Sequence, residues 1–161
     1  MGKFKGKTNA MRLLKEKRLP YDSYSYEVHD GKIDGVSVAQ KVGIDPNKVY
    51  KTLVTQGVSK AIYVYVIPVK DALDLKKAAQ AAGEKKIDLL PVKDLQKWTG
   101  YIRGGCSPVG MKKNYPTFID EQANTLNSIV VSGGKIGVQI ELSLDSLISI
   151  TQASLKPLVR D

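Results

Sequence analysis

A lysine inside an apolar strand pattern is the most chemically pointed feature of this chain. Val49-Tyr50-Lys51-Thr52-Leu53 alternates so that Val49, Lys51 and Leu53 share one face, which puts an ammonium where apolar groups are expected. Desolvation disfavours the charged amine, lowers its pKa and costs free energy unless the amine meets a partner. An ammonium kept there serves an anionic or carbonyl group. The alternative is a lysine at the sheet edge whose head extends to water. Residues 99–110 carry glycines at 100, 104, 105 and 110. Successive amide N–H groups in such a loop can form an anion or oxyanion nest, and an ordinary glycine-rich turn explains the same composition. The loop lacks the Gly-Lys-Ser/Thr end of a Walker loop, and no strand–turn–helix context makes it a dinucleotide fingerprint. Val131-Ser132-Gly133-Gly134-Lys135 joins two predicted strands, where Gly-Gly suits a tight hairpin turn. In the functional alternative Ser132 and the amides beside it face the site.

The chain has one cysteine, Cys106, and one histidine, His29. That excludes an internal disulfide framework, a multi-cysteine zinc site and any mechanism needing two imidazoles. No histidine stands near Cys106 in sequence, so Cys106 reads as a small loop residue rather than a nucleophile. His29, beside Asp30, reads as a polar loop residue rather than a base. Tyr21, Tyr24 and Tyr26 have rings able to stack on a nucleobase, although the pattern gives two of them to the core and one to the border of a pocket.

Short elements must position these groups. Thr8 is an N-cap for a helix to about Arg18, with Met11, Leu14 and Arg18 on one face, and Leu19-Pro20 ends it. Alternation over 21–28, with Tyr24, Tyr26 and Val28 on one side, predicts a strand. A polar loop over 29–35 leads to a helix over 36–42 closed by Gly43, and Asp45-Pro46 opens a single helical turn. The runs 49–55 and 61–69 form a hairpin across a link containing Gly57. Asp74 caps a helix to Ala82, ended by Gly83; a short strand follows over 85–90, and Pro91 opens a helix to Trp98. Strands are predicted over 116–120, 128–131 and 137–142, and Ser143 caps a last helix over about 144–152. Helices are too few and hairpin links too many for a doubly wound parallel sheet. The expected fold is one α/β domain over residues 9–161, a curved, mixed and largely antiparallel sheet surrounded by helices, after a flexible basic segment at 1–8.

Composition sets the remaining bounds. At 161 residues, 42% apolar and 25% charged, the chain can bury a core without disulfides or metals. The longest apolar run, 61–69, contains Pro68 and is far too short to span a membrane, and residues 1–18 lack the apolar stretch of a signal peptide. A soluble cytoplasmic protein without membrane contacts is the expectation. Lys and Arg number 25 against 16 Asp and Glu, and of the net +9 a share of +6 lies in the first twenty residues. Such an excess attracts polyanions, nucleic acid being the commonest; a solvated basic tail and helix face fits charge alone equally well.

Taken in order, the Lys51 segment, Asp74-Leu75-Lys76-Lys77, Thr99-Gly100-Tyr101 with Gly104-Gly105, Ser107-Pro108, Gly110 and Lys112-Lys113, then Val131-Ser132-Gly133-Gly134-Lys135 and Ile140-Glu141-Leu142, resemble the YbaK/EbsC family. Its members are free-standing relatives of the editing domain of bacterial prolyl-tRNA synthetase, and the resemblance runs from about Asn9 to Asp161. It implies that same editing-domain fold and hydrolytic deacylation of mischarged aminoacyl-tRNA, cysteine on the proline or cysteine tRNA being the foremost substrate. It implies no metal, no cofactor and no DNA, with prolyl-tRNA synthetase as a partner. It gives Lys51, Gly104 and Gly105 the catalytic roles, an ammonium and backbone donors on the ester carbonyl, and puts Tyr26, Tyr101, Ser132 and Gln139 on the substrate. No base or nucleophile stands among these residues, so the attacking group is water or, as the resemblance favours, the thiol of the substrate. Two positions depart from the family pattern: Gln139 stands where close relatives carry Asp, and an aromatic near Asp34 is missing. Another amino acid, such as alanine on the proline tRNA, or a non-catalytic binding relative, are the alternatives this leaves.

Overall fold

A computed structural model describes residues 6–27, 31 and 35–161. The Thr8 hydroxyl accepts from the Met11 N–H at 3.2 Å and starts helix α1, Asn9–Glu16, which buries Ala10, Met11 and Leu14. Burying a side chain such as Leu14 contributes about 2 kcal/mol. Arg18 does not join that face: it is exposed, at φ +58° past the helix end. Strand β1, Asp22–Ser25, is shorter than the alternation suggested, and Val28 and His29 lie outside the described residues. Helix α2, Gly35–Val42, precedes one helical turn at Pro46–Lys48, capped by the Asp45 carboxylate.

Strands β2, Tyr50–Gly57, and β3, Ile62–Pro68, form the expected antiparallel hairpin, with Lys51 opposite Ile67. Helix α3, Leu75–Ala82, strand β4, Ile87–Leu89, and helix α4, Val92–Thr99, follow as the capping residues predict. Strand β5, Thr117–Asp120, strands β6, Ser128–Lys135, and β7, Val138–Ser143, helix α5, Leu144–Thr151, and strand β8, Ser154–Lys156, complete the order. The sheet is mixed, but it comes as two: β4-β2-β3-β5-β8 and β1-β7-β6. Parallel pairing of β3 with β5 and of β5 with β8 occupies one side of the larger sheet, and a parallel bridge from Val49 to Val130 joins the two sheets where β2 begins.

Side-chain alternation on β7 sets the site. Val138, Ile140 and Leu142 enter the main core with Ile129 and Val131 of β6. The intervening Gln139 and Glu141 therefore share the opposite face. Gly133 and Gly134 are not the hairpin turn. They lie inside β6, where the register shifts between Ser132 and Lys135, and the chain reverses at Ile136 and Gly137 instead. The reason for glycine is crowding: a Cβ on Gly133 would lie 2.7 Å from Val138 Cγ1, and one on Gly134 would lie 3.1 Å from the Tyr101 ring.

Candidate active site

A cavity of about 120 Å³ opens where the start of β2, the middle of β6 and β7, and the 99–113 loop meet. Lys51, Tyr26, Gly104, Ser132 and Gln139 all line it, so five of the seven residues singled out from the sequence converge there. Register explains part of this: Ser132 is paired with Gln139 across the β6–β7 ladder, and Tyr24 flanks Gln139 from β1. Val49 and Val69 form an apolar wall with Ala39 and Val130, and Val38 of α2 also borders the space.

Lys51 is half-buried and forms no hydrogen bond or ion pair among the described residues. Desolvation holds its ammonium below the ordinary lysine range, with the Asp71 carboxylate pulling weakly the other way. Two neutral groups are in a comparable position. Gln139 Oε1 and Thr52 Oγ1 are buried without a hydrogen-bond partner, and both residues line the same cavity. Gln139 is only 7% exposed. A buried polar atom left unpaired costs about 1–3 kcal/mol, so finding two in one cavity marks a place built for something else to fill. Thr52 was not separable from its strand by sequence, because a threonine in a β-run is ordinary.

The glycine loop divides its labour. Gly104 has φ +85°, the left-handed third position of a turn closed by the Gly105 N–H donating to the Ile102 carbonyl at 3.0 Å. Gly105 is thus corrected: its donor is already engaged, and its bare Cα is needed because a Cβ would lie 2.8 Å from the Ile136 nitrogen. The amides on either side, of Gly104 and Cys106, have no hydrogen-bond partner among the described residues, and both residues line the cavity. Tyr101 is corrected as well. It does not line the cavity; it is buried behind the loop, where its hydroxyl donates to the Val109 carbonyl at 2.7 Å and its ring packs on Gly134. Burial pushes the Cys106 thiol up to about 12, outweighing a hydrogen bond with Thr99, so it stays neutral and is no nucleophile. Among the described residues no group of three or more His, Cys, Asp or Glu side chains is placed to hold a metal ion.

Beside the cavity, Glu141 accepts from the Tyr24 hydroxyl and the Lys48 ammonium, each at 2.8 Å, and from the Ser128 hydroxyl. Burial pushes its carboxyl up, but the bonds from Lys48, Ser128 and Tyr24 prevail and hold it below the usual carboxylate range. The same contact raises Tyr24 to about 12. This cluster ties β1, β6, β7 and the turn before β2 together, which fixes the root of the Lys51 strand. The arrangement can therefore present a cation, two amide donors and two neutral acceptors to a small carbonyl compound.

Comparison with known proteins agrees with that geometry. The profile of the aminoacyl-tRNA editing domain matches residues 33–150. A protein of Enterococcus faecalis (strain ATCC 700802 / V583) named "Putative Cys-tRNA(Pro)/Cys-tRNA(Cys) deacylase EbsC" is 47% identical over 145 residues, 90% of this chain and 88% of that one. Among solved structures, one titled as a putative trans-editing enzyme for prolyl tRNA synthetase superposes with a TM-score of 0.82 at 23% identity, covering 97% of this chain and 99% of that one. Another, of a hypothetical protein, gives a TM-score of 0.86 at 20% identity over 95% of this chain and 100% of its own. Both likenesses concern the fold.

Proposed function

This chain belongs to the aminoacyl-tRNA editing-domain family, and on that premise we propose that its cavity deacylates mischarged aminoacyl-tRNA, with cysteine on the proline or cysteine tRNA as substrate. One observation carries the assignment of the site: a desolvated ammonium, two unengaged amide donors and two unpartnered buried oxygens meet in about 120 Å³. The ester carbonyl gains negative charge when attacked. Lys51 and the N–H groups of Gly104 and Cys106 stabilise that oxygen, each donor contributing about 3 kcal/mol when pre-aimed. Gln139 Oε1 and Thr52 Oγ1 accept from the amino group or ribose hydroxyl of the substrate. Tyr26 and Ser132 border the same space and hold the aminoacyl end.

The attacking group is the substrate's own sulfur. The C–S bond forms as the bond from carbonyl carbon to the ribose oxygen breaks, and the thiol proton passes to that oxygen, freeing the tRNA. Such chemistry supplies selectivity that shape cannot, since a methylene more or less in an apolar pocket discriminates only about 10–200-fold. The reaction that supplies this substrate is misacylation, so prolyl-tRNA synthetase is the partner implied, and the compartment is the cytoplasm. The test is release of amino acid from cysteinyl-, thiol-blocked cysteinyl- and alanyl-tRNA(Pro). Free cysteinyl-tRNA is expected to react at least 100-fold faster than the other two. Equal rates with the blocked ester, or faster release of alanine, contradict the thiol mechanism.

A further inference from the structure

A second feature lies outside the cavity. Lys7, Lys15 and Arg18 line an open groove of about 550 Å³, completed by Leu19, Pro20 and the half-buried Tyr21. All three cations are exposed, and none is in an ion pair among the described residues. Glu16, the acid of this helix, is not among the lining residues. Local structure works to keep the cations together. Lys7 comes within hydrogen-bonding reach of Lys15, and that approach, with lesser effects of desolvation and like charge, holds the Lys7 ammonium below its usual range. Arg18 stands at φ +58°, the left-handed helix-end position that glycine fills without penalty. Its backbone N–H closes the helix on the Lys15 carbonyl at 3.0 Å. A bulky residue retained in a disfavoured conformation points to a use for its side chain.

We infer that this groove is a phosphate-binding site, and that it holds the nucleic-acid backbone next to the reacting 3′ terminus. An anion between Lys7 and Lys15 removes their repulsion, the Arg18 guanidinium forms paired hydrogen bonds to phosphate, and Tyr21 offers a ring edge to the strand. The chain from Tyr21 to Tyr26 runs through β1, so the groove lies within about 17 Å of the cavity border. That range is the acceptor arm of a tRNA rather than its distant end. The inference rests on the editing reading only for the identity of the polyanion.

The experiment measures binding of an uncharged acceptor-stem RNA minihelix across a salt series. It compares wild type, a triple variant (Lys7→Ala, Lys15→Ala, Arg18→Gly) and a control pair on α4 (Lys93→Ala, Lys97→Ala). The triple variant is expected to bind at least tenfold more weakly at low salt, and its log–log salt slope to fall by about 2, at about 0.7 per lost phosphate contact. Turnover of cysteinyl-adenosine, which lacks a phosphate backbone, stays at the wild-type rate, and the Arg18→Gly single variant melts no lower than wild type. Wild-type binding and slope in the triple variant overturn the inference, as does an equal loss in the α4 pair. Loss of synthetase binding with RNA binding intact also overturns it, since the groove is then a protein surface. If wild type hydrolyses no charged tRNA, the editing reading fails, while the minihelix titration still decides the groove.

Discussion

Gln139 and Glu141 stand two residues apart on one strand and face the same side of the small sheet, yet their surroundings are opposite. Glu141 receives three hydrogen bonds, from Tyr24, Lys48 and Ser128. Gln139 leaves its carboxamide oxygen buried and unpaired, as Thr52 across the cavity leaves its hydroxyl. A satisfied polar cluster holds elements together; an unsatisfied one costs stability that a ligand restores. The boundary between scaffold and site in this protein therefore runs between positions 139 and 141.

Substitutions on each side of that boundary separate activity from stability. The largest effect is expected for Lys51→Ala, on the ligand side: single-turnover deacylation slows about 100- to 1000-fold, while the melting temperature holds or rises because a desolvated ammonium is removed. Gly105→Ala, on the scaffold side, forces a Cβ against the Ile136 backbone nitrogen. It is expected to lower stability by about 1–3 kcal/mol in denaturant titration, with activity falling only as the Gly104 turn is displaced.

Glu141→Gln is expected to cost about 1–3 kcal/mol of stability and less than tenfold in rate. Its pH signature is distinctive. The folded carboxyl titrates below the unfolded one, so its stabilisation is complete above about pH 4.3 and is lost as pH falls through the lower folded value. Wild-type stability measured between pH 6 and pH 3 should show this acid loss, and Glu141→Gln should flatten it. Thr52→Val gives the smallest effect: stability within about 0.5 kcal/mol of wild type and KM raised about fivefold, the loss of one neutral hydrogen bond to substrate. A Thr52→Val protein that melts several degrees lower breaks the comparison, because its hydroxyl would then belong to the scaffold.

Much of this was legible in the chain. Caps wrote the helices: Thr8, Asp74 and Ser143 each accept from backbone N–H groups at the expected ends. The β2–β3 hairpin and the Lys51 position followed from alternation. What sequence could not separate was glycine needed for a turn from glycine needed for close packing. Gly133 and Gly134 looked like a turn and are strand residues cleared for Val138 and the Tyr101 ring; Gly105 looked like a donor and is a contact point. The division into two sheets was equally hidden, because β5 and β8 pair in parallel with partners distant in sequence. Thr52 carries no local signal, since only the fold shows that its hydroxyl has no partner.

The central claim is that the Lys51 ammonium is held partly out of water, facing the place where the ester carbonyl sits. Its titration, followed by NMR of the labelled side chain, tests this directly. The free protein is predicted to show a Lys51 pKa below the ordinary 10.4, rising when a non-hydrolysable amide analogue of cysteinyl-adenosine supplies the carbonyl oxygen. An ordinary value that the analogue leaves unmoved would contradict the account.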